Sequence, residues 1–205
     1  MDTTINNSLN RSMSYKEYRD LVKKMAENNS TTGLEKTEVY ADFTMLNDKR
    51  MKRWDKTLKI SEESQQKILE FKHPITWLAI AESWCGDGAH MLPALNKLAE
   101  LSKYIDLRIV LRDENPELMD AFLTYGTRSI PKVIMLDNET GAVLNTYGPR
   151  PSEATAYVNR FRAKYGKLTP EFKEDLQHWY NKNKGQNIID DITEMLCKLE
   201  PTVCQ

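Results

Sequence analysis

Glu82-Ser83-Trp84-Cys85-Gly86-Asp87-Gly88-Ala89-His90-Met91-Leu92-Pro93 is the stretch on which the reading of this chain turns. Before it, Ile75 to Ala81 is a continuous apolar run with only Thr76 polar, the pattern of a strand buried on both faces. After it, Cys85 to Lys103 carries Met91, Leu92, Leu95, Leu98 and Leu101 at helical spacing. The cysteine therefore stands between a buried strand and the first turn of a helix. Backbone N–H groups at a helix N-terminus stabilise an anion, so this position favours a thiolate. Glycines at 86 and 88 let another chain approach the sulfur closely. Pro93, in mid-helix, removes one hydrogen bond and predicts a kink.

Outward from this centre, Asp106 to Leu111 reads as a second strand. Asn115-Pro116 starts a helix that carries Leu118, Met119, Phe122 and Leu123 and ends at Gly126. Val133 to Leu136 is a third strand, Asp137 to Gly141 a turn, and Ala142 to Tyr147 completes a hairpin. A helix opens at Pro151-Ser152-Glu153 and runs to about Tyr165. The first two strands flank a helical crossover and so pair in parallel, and the last two are antiparallel. The ends are helical. Ser14 caps a helix with Tyr15, Tyr18, Leu21, Val22 and Met25. Another puts Tyr40, Phe43, Met51, Trp54 and Leu58 on roughly one face, and a third runs from Ser61 to near His73-Pro74. Thr169-Pro170 begins a helix through Phe172, Leu176 and Trp179. Gly185 breaks it, and Ile188 to Leu199 form a last amphipathic helix.

Composition narrows the function classes. The 205 residues carry 29 Lys+Arg against 30 Asp+Glu, a formal net charge of -1, which argues against a nucleic-acid binder. The longest strictly apolar run, Trp77 to Ala81, is far below the roughly 20 residues of a membrane span. The polar, acidic start predicts no targeting segment, hence a cytoplasmic protein. Cys85, Cys197 and Cys204 read as three thiols rather than a disulfide framework. His73 and His178 lack partners at ligand spacing, so no metal or other cofactor is expected. His90 falls about 140° round the helix from Cys85 and should not face it.

Trp84-Cys85-Gly86, with Pro93 eight residues after the cysteine, resembles the thioredoxin superfamily. Arg128-Ser129-Ile130-Pro131-Lys132-Val133 is similar to the segment that holds the family's cis-proline, beside the active cysteine. The Trp-Cys-Gly-Asp form and Gly148-Pro149-Arg150-Pro151 further resemble a bacterial subgroup of thioredoxin-like proteins. The resemblance spans about residues 70–166. It implies an α/β fold, a mixed sheet flanked by helices, in a single domain over 1–205 with helical extensions at 13–69 and 167–200. It also implies a catalytic Cys85 and a substrate-binding surface of Trp84, Gly86, Asp87, Ile130 and Pro131.

Two departures bear on function. Gly88 stands where the family has its second active cysteine, and Ala79 where it has a buried acid. The usual two-cysteine cycle is therefore closed to this chain. Asp87 suits a helix N-terminus, but its charge opposes a thiolate beside it and limits the fall in pKa. Two readings follow. In one, a monothiol thiol–disulfide oxidoreductase acts on a protein or low-molecular-weight disulfide, and an external thiol resolves the adduct. In the other, a non-catalytic module binds a peptide or protein in the cis-proline groove. A resolving thiol from Cys197 or Cys204 is a third possibility. Arg128 and Arg150 read as surface charge unless the fold carries them to the sulfur, where they would stabilise a thiolate.

Overall fold

The computed structural model describes residues 2–204, without the side chains of residues 203 and 204. Among the described residues five strands form one mixed sheet in the order β1-β3-β2-β4-β5. The central strand β2 (Ile75–Ala81) pairs in parallel with β3 (Ile105–Leu111) and antiparallel with β4 (Lys132–Asp137). β4 continues into the hairpin strand β5 (Val143–Tyr147), and β1 (Met13–Ser14) closes the other edge antiparallel to β3. The parallel and antiparallel pairings read from the sequence are those observed. The short edge strand β1 is an addition.

Alternation along β2 divides the interior. Ile75, Trp77, Ala79 and Ala81 enter a core with α2 (Tyr15–Glu27), α3 (Glu38–Thr57), α4 (Glu62–Glu70), α5 (Gly86–Ala99) and α9 (Gln186–Leu199). Leu78 and Ile80 enter a second core with Cys85, Leu118, Met119, Ile130 and Ile5. A third cluster joins Ala154 and Val158 of α7 (Ser152–Tyr165) to Phe172, Leu176 and Tyr180 of α8 (Pro170–Asn183).

Local signals account for most element starts. Ser14 and Glu17 form a capping box at α2, Ser61 caps α4 and Thr169 caps α8. Two expectations need correction, and one helix was not expected at all. Residues Thr3–Asn10 form a helix, α1, capped by Asp2 and anchored by Ile5, with Leu9 one turn further on packed against the same core; these two apolar residues are too few to mark it in an otherwise polar stretch. The helix after Asn115, α6 (Pro116–Ala121), ends before Phe122 instead of at Gly126. Asn115 does not cap it; its side-chain amide donates to the Leu111 carbonyl at 2.9 Å. Finally, α3 turns Phe43 outward and directs Thr44 and Asn47 inward with Met51 and Trp54.

Those two polar residues are drawn inward by the loop before Cys85. Asn47 Nδ2 donates to the Ser83 carbonyl at 2.8 Å, and Thr44 Oγ1 lies 2.8 Å from Ser83 Oγ. Thr32 adds a backbone N–H to Ser83 Oγ at 3.0 Å and a hydroxyl to the Glu82 carboxylate. Burial raises the Glu82 carboxyl above its usual range, while the Thr32 hydroxyl and the Asp113 N–H, 3.0 Å from Glu82 Oε1, hold it down. The N-terminal region thus fixes residues 82–83 through hydrogen bonds that apolar periodicity does not reveal.

Candidate active site

Cys85 ends that pinned loop and serves as N-cap of α5. Its Sγ accepts from the Gly88 N–H at 3.5 Å and donates to the Ile130 carbonyl at 3.3 Å. The Ile130–Pro131 peptide is cis, and so is Gly148–Pro149. Gly148, with φ +101, lies directly on the Pro131 loop: a Cβ there would stand 2.3 Å from the Pro131 carbonyl oxygen. The two proline loops are therefore layered beside the sulfur.

The fold brings Trp84, Gly86, Asp87, Ile130 and Pro131 around Cys85, each in a different setting. Trp84 is partly exposed and stacks on Tyr40, ring centres 4.9 Å apart, with the Arg112 guanidinium 4.9 Å from its ring. Gly86 lies beneath Arg50 of α3 and Gln177 of α8; a Cβ there would be 3.6 Å from Arg50 Nη1 and 3.5 Å from Gln177 Nε2. Asp87 turns inward. Its Oδ1 accepts from the Tyr180 hydroxyl at 2.9 Å, and its Oδ2 pairs with Arg150 Nη2 at 2.8 Å. Arg150 thus reaches the site, but through Asp87. Arg128 stays on the surface in a bidentate pair with Asp120, both bonds 2.6 Å.

This packing reverses the electrostatics that a bare helix N-terminus predicts. Cys85 is only 8% exposed. Burial, then the Asp87 charge, push its thiol up to about 12, against the pull of the Gly88 N–H and Arg150. The resting sulfur is a protonated thiol donating to the Ile130 carbonyl. Asp87 is itself raised by burial, opposed by Arg150 and Tyr180.

His90 does not face the thiol. Its Nε2 is 2.9 Å from Gln177 Oε1, its ring stacks on Tyr180 at 4.3 Å, and burial pushes its pKa down to about 3. A buried neutral histidine makes folding pH-dependent with a definite sign. Below about 6.5 the unfolded chain binds a proton that the folded one refuses, so stability falls with pH until the folded pKa is reached. The wild type should lose roughly 1–2 kcal/mol between pH 6.5 and 5 from this group. His90→Phe, which keeps a ring against Tyr180, should flatten that part of a urea-denaturation pH series. An unchanged slope would show that His90 is protonated in the fold.

Cys197 is disulfide-bonded whereas Cys85 is free. The expectation of three free thiols is therefore corrected, and Cys197 holds no thiol ready to resolve an adduct at Cys85. The side chain of Cys204 lies outside the described residues. Gly88 leaves room for the partner that the chain lacks: a Cβ there would be 3.6 Å from Cys85 Cβ and 3.8 Å from its Sγ, an ordinary contact.

Arg50, Asn47, Gln177 and Tyr180 surround the site without having been singled out in the sequence, and Tyr40 was read there only as part of a helix face. They come from helices distant in the chain, and no local spacing marks them. Among the described residues no group of His, Cys, Asp and Glu could hold a metal ion, and no helix is long and apolar enough to cross a membrane.

No curated protein matches the chain. Among solved structures, a protein of unknown function from Pseudomonas aeruginosa is 18% identical with a TM-score of 0.60, over 90% of this chain and 97% of that one. An HIV epitope scaffold is 17% identical with a TM-score of 0.56, over 90% and 98%. At these identities the likeness carries the fold alone. The thioredoxin family model matches residues 33–165, more than half of the chain and the segment that holds strands β2 to β5, Cys85 and Pro131, so this chain belongs to the thioredoxin-like family.

Proposed function

We propose that the chain performs thiol–disulfide exchange through a single cysteine, Cys85. The observation that carries this reading is the placement of Sγ at the N-terminus of α5, one hydrogen bond from the carbonyl that precedes Pro131. An extended substrate lying along the Pro131 loop would present its disulfide to that sulfur. Cys85 loses its proton, Sγ bonds to one substrate sulfur, the substrate S–S bond breaks, and the departing thiolate takes up a proton. An external low-molecular-weight thiol then attacks the mixed disulfide, releasing Cys85 reduced and leaving the substrate sulfur bonded to the external thiol. Trp84, Gly86, Ile130 and Pro131 frame the approach, with Asp87 setting the charge beneath it. A thiol pushed up to about 12 reacts slowly alone, and its rate should climb about tenfold per pH unit through pH 10.

The same protonated thiol favours a second reading, a non-catalytic module that binds peptides in the Pro131 groove. The experiment that separates the two uses the vacancy at Gly88. The 3.6 Å Cβ–Cβ separation falls inside the range of disulfides, so Gly88→Cys supplies a resolving thiol in place. A peptide disulfide should leave a lasting adduct on wild-type Cys85, found by mass spectrometry, and a short-lived one on the Gly88→Cys variant. That variant should finish with an internal disulfide and a released peptide. No adduct on either protein, with peptide capture unaffected by Cys85→Ser, would establish the binding module.

A further inference from the structure

Arg50 is half-buried beside Gly86, the residue after Cys85, and no carboxylate lies within ion-pair distance of it among the described residues. Three other guanidinium groups near this end of the molecule are paired, Arg112 with Asp113, Arg128 with Asp120 and Arg150 with Asp87, while Arg53 donates to the Asn181 side-chain oxygen. Arg50 makes one hydrogen bond, from Nη1 to Asn47 Oδ1 at 3.0 Å. None of its other nitrogens is buried without a partner, so they open to solvent. Across Gly86 stands Gln177. Its Oε1 is occupied by His90, which burial keeps neutral, so its Nε2 remains as a donor on the Gly86 side. Two donors from two helices thus converge next to the sulfur-bearing residue, at the N-terminus of the 14-residue α5. Burial, then the neighbouring Arg53, disfavour the Arg50 charge, and the Asp87 carboxylate offsets this only in part, so a second anion would stabilise it further.

We infer that Arg50, with Gln177 beside it, selects for Cys85 a low-molecular-weight thiol or disulfide that carries a carboxylate close to its sulfur. The guanidinium takes the carboxylate as the partner sulfur reaches Sγ. Asp87 favours the Arg50 charge through space but forms no ion pair with it, its oxygens being turned to Tyr180 and Arg150. The inference rests on the exchange reading and adds a partner class to it. In the exchange step the bonds are those given above: Sγ–S forms, the partner's S–S breaks, and the leaving sulfur is reduced and protonated.

The test compares second-order rates of Cys85 modification by three disulfides at pH 8.5. Dithiobis(nitrobenzoate) is anionic, dithiodipyridine neutral and cystamine cationic, and peptide mass spectrometry assigns each adduct to Cys85. Arg50→Gln should slow the anionic reagent about tenfold, leave the neutral one within about twofold and speed the cationic one. Arg50→Lys should keep most of the anionic rate, which also shows that the fold tolerates change at this position. Equal slowing with all three reagents would overturn the inference, because Arg50 would then act on the thiol and not on its partner. Unchanged rates would overturn it too, leaving the exchange reading intact. No adduct at Cys85 from any reagent would sink the exchange reading and this inference with it.

Discussion

Gly148→Ala should destabilise the protein by ~3 kcal/mol or more. Residue 148 holds φ +101, and its Cβ would meet the Pro131 carbonyl oxygen at 2.3 Å, with Pro131 C at 3.4 Å and Lys132 Cα at 3.7 Å. These are backbone atoms, so no flexible side chain can swing aside. Strain at a positive φ costs about 1–3 kcal/mol and forced overpacking about as much again. Relief requires the Pro131 loop to move away from the 148 turn, which would also disturb the bond from Cys85 to the Ile130 carbonyl. Gly126→Ala is the matched comparison: φ there is +74, but nothing lies within 4 Å of the added carbon. It should lose only about 1 kcal/mol. Urea denaturation of the two variants decides the matter, and equal losses would mean that the loop contact carries no weight.

Asp87→Asn should have the largest effect on the sulfur. Burial is the first cause of the raised Cys85 thiol and Asp87 the second, so removing the charge lowers the pKa without returning it to that of a free thiol. A fall of about one unit would raise the alkylation rate of Cys85 at pH 8 about tenfold. The asparagine oxygen can still accept from Tyr180, but Arg150 loses its partner with its Nε already buried and unpaired. Leaving one half of a buried ion pair costs on the order of 3 kcal/mol, so the variant should be faster and less stable together. Alkylation followed by peptide mass spectrometry, beside a thermal melt, reads both. An unchanged alkylation rate would remove Asp87 from the account of this thiol.

Much of the fold was legible because its signals are local. The apolar run 75–81, the Ser14 and Glu17 pair, Thr169-Pro170 and the turn at 137–141 each act within a few residues, and the structure places elements where they point. The misses share the opposite cause. The edge strand β1 has two residues and is held by Arg108, whose guanidinium donates to Ser12 Oγ and the Ser12 carbonyl from 96 positions away. Thr44 and Asn47 occupy the inner face of α3 because Ser83 supplies hydrogen-bond partners there, and no apolar stripe can announce that. Phe122 and Leu123 continued an apolar pattern, yet α6 stops before them.

The chain's own order determines the strand, cysteine and helix succession, the missing partner at Gly88 and the proline segments beside the sulfur. Those are matters of residue identity and short-range geometry. The tertiary structure alone decided the character of Cys85. A helix N-terminus favours a thiolate, but desolvation depends on what packs over the sulfur, and the Asp87 charge on which way that side chain turns. Tyr180 and Arg150 draw Asp87 inward, while Arg50 and Gln177 close over Gly86. All four arrive from elements 35 or more positions away along the chain, where no local pattern could have put them beside one thiol.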